Sequence, residues 1–241
     1  MPLRLENISV RFGGIAALTG VNLEVADDSV VGLVGPNGAG KTTLFNVISG
    51  LVRPTEGSAR FGDTDLVKGK IHNRARAGIG RTFQIPQPLH ELTVRENLMV
   101  AQRFGAGRID PSRIDEILDF LNLTHKADAQ AATDLALSEQ KALEVGKALA
   151  TEPKLLMLDE VLAGLETSGK RAFMTMLARL HREWNLAMIV IEHDIETISR
   201  LCQRCVVLNF GKVIADGTPD AVFRDPEVRR SYTGTGAAEH A

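Results

Sequence analysis

A glycine-rich run near the start of the chain constrains the fold more than any other feature. It fits the pattern G-x-x-x-x-G-K-[ST] of a phosphate-binding loop and consists of Gly35, Pro36, Asn37, Gly38, Ala39, Gly40, Lys41, Thr42 and Thr43. The apolar, β-branched run 30–34 precedes it, and a run with helical spacing follows until Gly50. Strand, loop and helix occur in the required order, so the sequence predicts an α/β fold that binds a nucleoside triphosphate.

Each residue type in this loop has a chemical role. Gly35, Gly38 and Gly40 let backbone N–H groups approach phosphate oxygens without an intervening Cβ. The helix that follows directs its positive end at the same anion. Lys41 would place its charge against the β- and γ-phosphates, and the Thr42 hydroxyl would bind Mg²⁺. The motif indicates ATP or a related triphosphate but does not indicate what the energy drives.

Composition narrows the possible partners. The 241 residues include 28 Lys and Arg against 30 Asp and Glu, a net charge of −2, so no basic field favours nucleic acid. No run approaches the length of a transmembrane helix and the start lacks a signal-peptide core, so we expect a cytosolic protein; if it works at a membrane, another chain spans it. Cys202 and Cys205 lack a second ligand pair, which favours two core residues over a metal or redox site.

Two further apolar runs end in polar residues. The run 155–158 ends in Asp159 and Glu160, as a core strand that delivers acids to a phosphate loop would. Asp159 would hold Mg²⁺, directly or through water, and Glu160 would polarise the attacking water. The run 187–191 leads to His193, at the sheet edge where ligands usually bind, so we assign it to the γ-phosphate. The alternatives are acids that only begin a polar loop and a structural histidine.

The remaining patterns describe the organisation of the chain. The first thirty residues alternate as antiparallel strands do, and Phe12 between them either stacks on adenine or belongs to the core. From Thr93 to about Ala150 the period is helical throughout, with start signals at Thr93 and at Asp110. We therefore expect one domain over 1–234 with a helical lobe inserted at about 87–150, and a loose tail at 235–241.

In this order the motifs resemble the ATP-binding subunits of ABC transporters, and among them the branched-chain (hydrophobic) amino acid uptake subgroup. The resemblance covers about 3–234 and is carried by the segments 11–14, 80–84, 92–98, 163–165, 191–194, 206–211 and 216–219. It implies a P-loop NTPase of ABC type, with a RecA-like core sheet, an N-terminal antiparallel β subdomain and an inserted α-helical lobe.

The resemblance also implies roles for single residues. Phe12 matches the aromatic that stacks on adenine, and Gln84 matches the glutamine that touches Mg²⁺ and the attacking water. Glu160 matches the catalytic base and His193 the switch histidine, while Lys41 keeps its place in the loop. In this family two subunits enclose two ATP molecules, each between one chain's phosphate loop and the partner's signature motif.

The signature motif departs from the family pattern L-S-G-G-Q. The ungapped alignment places it on 135–139, where Ala136 replaces the serine, Ser138 replaces a glycine and Glu139 replaces the glutamine. A gapped register that starts at Leu137 disturbs the good matches at 143–150. Losing a hydroxyl and adding a negative charge is expected to weaken closure on the partner's ATP by a few kcal/mol. The sequence thus favours a heterodimer of ATP-binding subunits over a homodimer.

The leading hypothesis is an ATPase subunit of an importer for branched-chain amino acids or related small solutes. The resemblance implies two transmembrane permease subunits, indirect contact with a periplasmic or extracellular solute-binding protein, and a position at the cytoplasmic face of the inner or plasma membrane. One alternative is a regulatory subunit that binds nucleotide with little turnover. Another is a soluble ABC ATPase acting on DNA or ribosomes, which usually has tandem cassettes or coiled-coil insertions that this sequence lacks.

Overall fold

The computed structural model describes residues 1–233, and the predicted tail 235–241 lies outside the described residues. The strands are β1 (Leu3–Phe12), β2 (Ile15–Val25), β3 (Val30–Val34), β4 (Glu56–Phe61), β5 (Thr64–Asp65), β6 (Ile79–Arg81), β7 (Leu155–Asp159), β8 (Ala187–Ile191), β9 (Arg204–Asn209) and β10 (Lys212–Gly217). The helices are α1 (Lys41–Ser49), α2 (Ile71–Ala77), α3 (Val94–Gly105), α4 (Pro111–Phe120), α5 (Leu137–Ala150), α6 (Thr167–Trp184), α7 (Ile195–Leu201), α8 (Pro219–Arg224) and α9 (Pro226–Thr233).

Among the described residues, the first compact unit comprises 1–71 and 187–233. One of its sheets has the order β2-β1-β4-β5, and its neighbours pair antiparallel. Leu3, Leu5, Ile8 and Val10 of β1 are buried while the residues between them are exposed or half-buried, so the alternation in the sequence corresponds to one buried face. The predicted N-terminal antiparallel β subdomain is confirmed.

The second sheet region of this unit carries the phosphate loop. The strand β3 pairs in parallel with β8 on one side and β9 on the other, and β10 pairs antiparallel with β9. All five residues of β3 are buried, which explains its continuous apolar run. Cys205 lies in β9 and Cys202 just before it, both buried; desolvation raises the pKa of Cys205 to about 12, so these thiols are core residues, as predicted.

The second compact unit comprises residues 72–186. Its strands β6 and β7 are parallel, with Arg81 opposite Met157. Between them in sequence come α3, α4 and α5, which pack against one another. A reciprocal capping box between Thr93 and Glu96 starts α3, and the Asp110 carboxylate caps α4, as the sequence indicated. No helix of residues 1–233 is long and apolar enough to cross a membrane.

The expectation of continuous helical structure from Thr93 to Ala150 is wrong. Asn122 adopts a left-handed conformation (φ 56°) after α4, and only a short 3₁₀ turn at Thr124–Lys126 follows before α5. The Asp134 carboxylate accepts a hydrogen bond from the Gln130 backbone N–H, which replaces helical bonding there. The apolar residues of this stretch are buried although they do not belong to an α-helix. Their helical spacing in the sequence therefore gave a wrong prediction. The lobe boundaries 87 and 150 stay predictions.

Candidate nucleotide-binding site

The glycine loop has the backbone conformations that its sequence predicts. Gly35, Gly38 and Gly40 have φ values of 144°, 79° and 105°, which side chains other than glycine rarely adopt. A Cβ built on Gly35 would lie 2.1 Å from the Leu208 carbonyl oxygen, so glycine is also required sterically. The loop therefore combines left-handed turns with close backbone packing.

The loop ends at the N-terminus of α1. No side chain caps this helix, so a ligand can take the place of a cap. Lys41 is 6% exposed, and its Nζ donates to the carbonyl oxygens of Gly35 and Pro36 at 2.7 and 3.0 Å. Thr42, the next residue, is exposed. A lysine ammonium group beside the N-terminus of a helix makes a binding site for an anion.

Two contacts that the sequence did not reveal support the loop. The Gly211 N–H, in the tight turn between β9 and β10, donates to the Ala39 carbonyl at 3.0 Å. Tyr232 of α9 hydrogen-bonds the Gly35 backbone, while burial raises the pKa of its hydroxyl to about 12. The Gly211 turn was only a matching segment in the sequence, and nothing in the pattern around Tyr232 points to a loop about 200 residues away in the chain.

Replacing Gly35 by alanine is expected to lower ATP affinity at least about tenfold, because a displaced loop loses aligned N–H donors to the phosphates. The clash with Leu208 forces the displacement. The matched control is Gly38→Ala, where a Cβ meets nothing within 4 Å and only left-handed strain of about 1–2 kcal/mol is added. Titration with a fluorescent ATP analogue measures both. Equal affinities for the two variants would contradict the steric argument.

Phe12 and His193 lie in the same unit as the loop. Phe12 ends β1 and is 53% exposed, so the core interpretation of this aromatic is wrong and its ring can receive a ligand. His193 follows β8, the parallel neighbour of β3, and is exposed. The next residue, Asp194, caps α7 by accepting from the backbone N–H groups of Glu196 and Thr197. Asp194 therefore serves as the cap of α7. The exposed position of His193 is compatible with its predicted contact to the γ-phosphate.

In the second unit, Asp159 ends β7 in a buried ion pair. Its Oδ2 lies 3.1 Å from the Arg81 guanidinium, and each side chain is 8% exposed. Burial lowers the pKa of Arg81, and the adjacent carboxylate opposes this change. Thr82 fixes the register, since its hydroxyl accepts from the Asp159 N–H at 3.1 Å and its own N–H donates to Met157. The pairing with Arg81 was not predicted.

Glu160, one residue on, is held by Gln84. The Gln84 Nε2 donates to Glu160 Oε2 at 2.6 Å, so two residues that the sequence analysis selected separately are in direct contact. Glu160 has a left-handed backbone (φ 49°), a conformation that residues other than glycine rarely adopt. Its carbonyl oxygen accepts from Lys141 of α5 at 3.3 Å. Lys141 is buried and was missed because a lysine within a helical run gives no distinctive signal.

The signature segment starts α5. Ala136 is its N-cap residue, the position at which a serine hydroxyl would cap the helix. The Glu139 carboxylate accepts from the Ala136 N–H at 2.8 Å, and its other oxygen lies 3.5 Å from His125 Nε2. The weaker closure on the partner's ATP that Glu139 is expected to cause stays a prediction, and within this chain the carboxylate bonds its own helix terminus. The ungapped register is consistent with this N-cap position.

The segment after Gln84 is tied to the helices of the same unit. Glu144 of α5 accepts from the Gln87 N–H at 2.8 Å, and Lys147 donates to the Gln87 carbonyl at 2.6 Å. Asn97 of α3 is fully buried and accepts from the Leu89 N–H at 2.8 Å. These side chains replace the regular hydrogen bonds that the prolines in this segment prevent. The segment is thus an ordered connection between Gln84 and the helices.

The oxygen donors of Asp159 and Thr42 suit a hard cation such as Mg²⁺. Among residues 1–233 there is no group of three or more His, Cys, Asp or Glu that forms a complete metal site. Mg²⁺ needs no such group, because it usually takes one or two protein oxygens together with waters and substrate phosphates. Asp159 in the second unit and Thr42 in the first each carry an oxygen of this kind, and the magnesium site itself stays a prediction.

Comparisons with known proteins identify the family. The family model of the ABC transporter matches residues 18–163, and that of the branched-chain amino acid ATP-binding cassette transporter matches 212–238. The chain is 37% identical to the branched-chain amino acid transport ATP-binding protein BraF of Pseudomonas aeruginosa, over 96% of this chain and 97% of the relative. It is 36% identical to LivG of Escherichia coli with the same coverage, and 33% identical to the lipopolysaccharide export ATP-binding protein LptB of Haemophilus influenzae, again over 96% and 97%.

Solved structures agree. The ADP conformation of MJ1267, an ATP-binding cassette of an ABC transporter, has a TM-score of 0.87 at 32% identity, covering 97% of this chain and 99% of that one. A dimeric post-hydrolysis state of the cassette MJ0796, bound to ADP and Pi, has a TM-score of 0.80 at 26% identity, covering 90% and 98%. The predicted P-loop NTPase fold of ABC type and the predicted ATPase are confirmed. The chain belongs to the ABC transporter family as an ATP-binding, ATP-hydrolysing subunit of the branched-chain amino acid group.

Proposed function

We propose that this chain hydrolyses Mg²⁺–ATP to power an importer of branched-chain amino acids. The observation that carries the solute class is the match of residues 212–238 to the branched-chain amino acid model, together with the names of BraF and LivG. LptB, at 33% identity, belongs to a lipopolysaccharide export system, so similarity of the cassette alone does not identify the transported solute. The proposed partners are two transmembrane permease subunits at the cytoplasmic face, a second ATP-binding subunit and, indirectly, a solute-binding protein.

The proposed residue roles rest on the family resemblance and are compatible with the contacts within each unit. Phe12 stacks on adenine; the N–H groups of the loop 35–43 and Lys41 bind the phosphates. Lys41 Nζ exchanges its hydrogen bonds to two loop carbonyl oxygens for hydrogen bonds to phosphate oxygens. The compact ammonium group on a flexible side chain allows this exchange. Thr42, Asp159 and Gln84 are the residues that would hold Mg²⁺, which would neutralise charge that develops on the phosphates.

Glu160 acts as the base toward the attacking water. The Gln84 amide, which donates to Glu160 Oε2, holds this carboxylate and is proposed to orient the same water. His193 contributes a hydrogen bond at the γ-phosphate from its exposed position after β8. These assignments use groups that are either accessible or held by hydrogen bonds that can exchange.

Uptake by whole cells tests the proposal. A strain that lacks the chromosomal copy of this chain is expected to lose uptake of radiolabelled leucine, isoleucine and valine, and the plasmid-borne chain is expected to restore it. Excess unlabelled leucine competes, whereas urea and phenylalanine serve as solutes from the alternative classes. Normal branched-chain uptake without the chain, with loss of urea or phenylalanine uptake, would replace the proposed solute while leaving the ATPase assignment intact.

A second candidate is a nucleotide-binding regulatory subunit with little turnover. The replaced signature residues Ala136, Ser138 and Glu139 favour it, whereas the intact Glu160 and His193 oppose it. ATPase assays of the chain combined with its partner subunits separate the two functions, since a regulatory subunit binds ATP but leaves the rate unchanged when its own Glu160 is replaced.

A further inference from the structure

Two residues at the end of β6 hold the two acids at the end of β7. Arg81 contacts Asp159 at 3.1 Å, and Gln84 contacts Glu160 at 2.6 Å, all within one compact unit. The parallel pairing of Arg81 with Met157 places the arginine beside the carboxylate two residues further along β7. Both acids that the proposed function assigns to chemistry are therefore engaged by neighbouring side chains in this state.

The Arg81–Asp159 pair differs in burial from other arginine pairs of the described chain. Pairs such as Arg108–Glu152 and Arg95–Asp115 include a side chain that is more than half exposed, where solvent and salt screen the interaction. Arg81 and Asp159 are each 8% exposed, so their attraction is screened much less. A guanidinium at this distance also competes with a divalent cation for the oxygens of Asp159 and repels it.

We propose that Arg81 is a positioning residue that occupies Asp159 before Mg²⁺–nucleotide binds and leaves it on binding. The proposal rests on the proposed role of Asp159 as a metal ligand. The Phe83 ring offers the departing guanidinium a second contact, since Arg81 Cζ already lies 5.2 Å from its centroid and Phe83 is 45% exposed.

The test is the Mg²⁺ dependence of nucleotide binding, measured calorimetrically with a non-hydrolysable ATP analogue. Arg81→Gln removes the competing charge, so the Mg²⁺ concentration for half-maximal binding is expected to fall about tenfold, the size of one charge-assisted hydrogen bond. Arg81→Lys keeps a charge without the planar fork and should give a smaller shift in the same direction. The matched control Arg108→Gln, an exposed arginine of the same unit, should leave the half-point unchanged.

Thermal unfolding without ligand distinguishes positioning from mere support. A purely structural Arg81 lowers the unfolding temperature of both variants but leaves the Mg²⁺ half-point where it was, and that result overturns the proposal. If Arg81→Gln does not fold, Arg81→Lys alone decides by the same criterion. If nucleotide binding by the parent protein is independent of Mg²⁺, the proposed role of Asp159 as a metal ligand is also overturned. Failure of the Arg81 proposal and failure of the proposed function therefore give different results.

Discussion

Replacing Glu160 by glutamine is expected to lower ATP turnover at least about 100-fold, the usual contribution of a positioned general base, while ATP binding is retained. Glutamine has nearly the same shape as glutamate and can still accept the hydrogen bond from Gln84 Nε2. The left-handed backbone of Glu160 (φ 49°) is unaffected by this change. The variant therefore removes basicity with little else altered.

Two measurements are required for this prediction. Phosphate release in the assembled transporter gives turnover, and equilibrium binding of ATP gives affinity. The control is Glu116→Gln, an exposed glutamate of α4 that pairs with Arg113 in its own helix and should keep both values. Turnover within about threefold of the parent would remove Glu160 from the role of base.

Local patterns predicted the parts of the site that depend on adjacent residues. The glycines of the loop could be recognised in the sequence because the positive φ values at 35, 38 and 40 strongly favour glycine. The caps of α3 and α4 were readable because capping joins side chains to N–H groups three residues away. The start of α1 and the polar ends of β7 and β8 follow from apolar runs that stop at charged or polar residues.

Contacts between distant segments could not be predicted in this way. Arg81 and Asp159 are 78 residues apart, and Gln84 and Glu160 are 76 apart, so their contacts depend on which strands become neighbours. Tyr232 reaches Gly35 across most of the chain. The irregular stretch before α5 was misjudged for the opposite reason: apolar spacing reports burial, and burial does not require a helix.

The signature segment at the start of α5 lacks the serine that the family pattern has at position 136. A serine at the N-cap would bond the helix N–H groups and present its hydroxyl to a phosphate, but Ala136 has no such group. Glu139 supplies the other half of a capping box, since its carboxylate accepts from the Ala136 N–H at 2.8 Å. Ala136 lacks both the oxygen that would cap the helix and the hydroxyl donor that would be offered to a partner's nucleotide. The asymmetric heterodimer that we propose follows from this difference.

Restoring the motif by Ala136→Ser, Ser138→Gly and Glu139→Gln together is expected to raise the ATPase rate of the isolated chain at least about tenfold. The reason is that a hydroxyl bond to a charged phosphate contributes about 1.5–3 kcal/mol, and the removed carboxylate no longer repels the nucleotide.

The restored variant should fold, because a serine N-cap adds about 1 kcal/mol and the amide oxygen introduced by Glu139→Gln can still accept from the backbone N–H at position 136. Thermal unfolding checks this, and Glu152→Gln in the same unit serves as a control for the removal of one charge. Rates are compared over a range of protein concentrations, since a homodimer with two complete sites gains activity as concentration rises. A parent chain that already turns over ATP cooperatively by itself, or a restored variant with the parent's rate, contradicts the asymmetric pair.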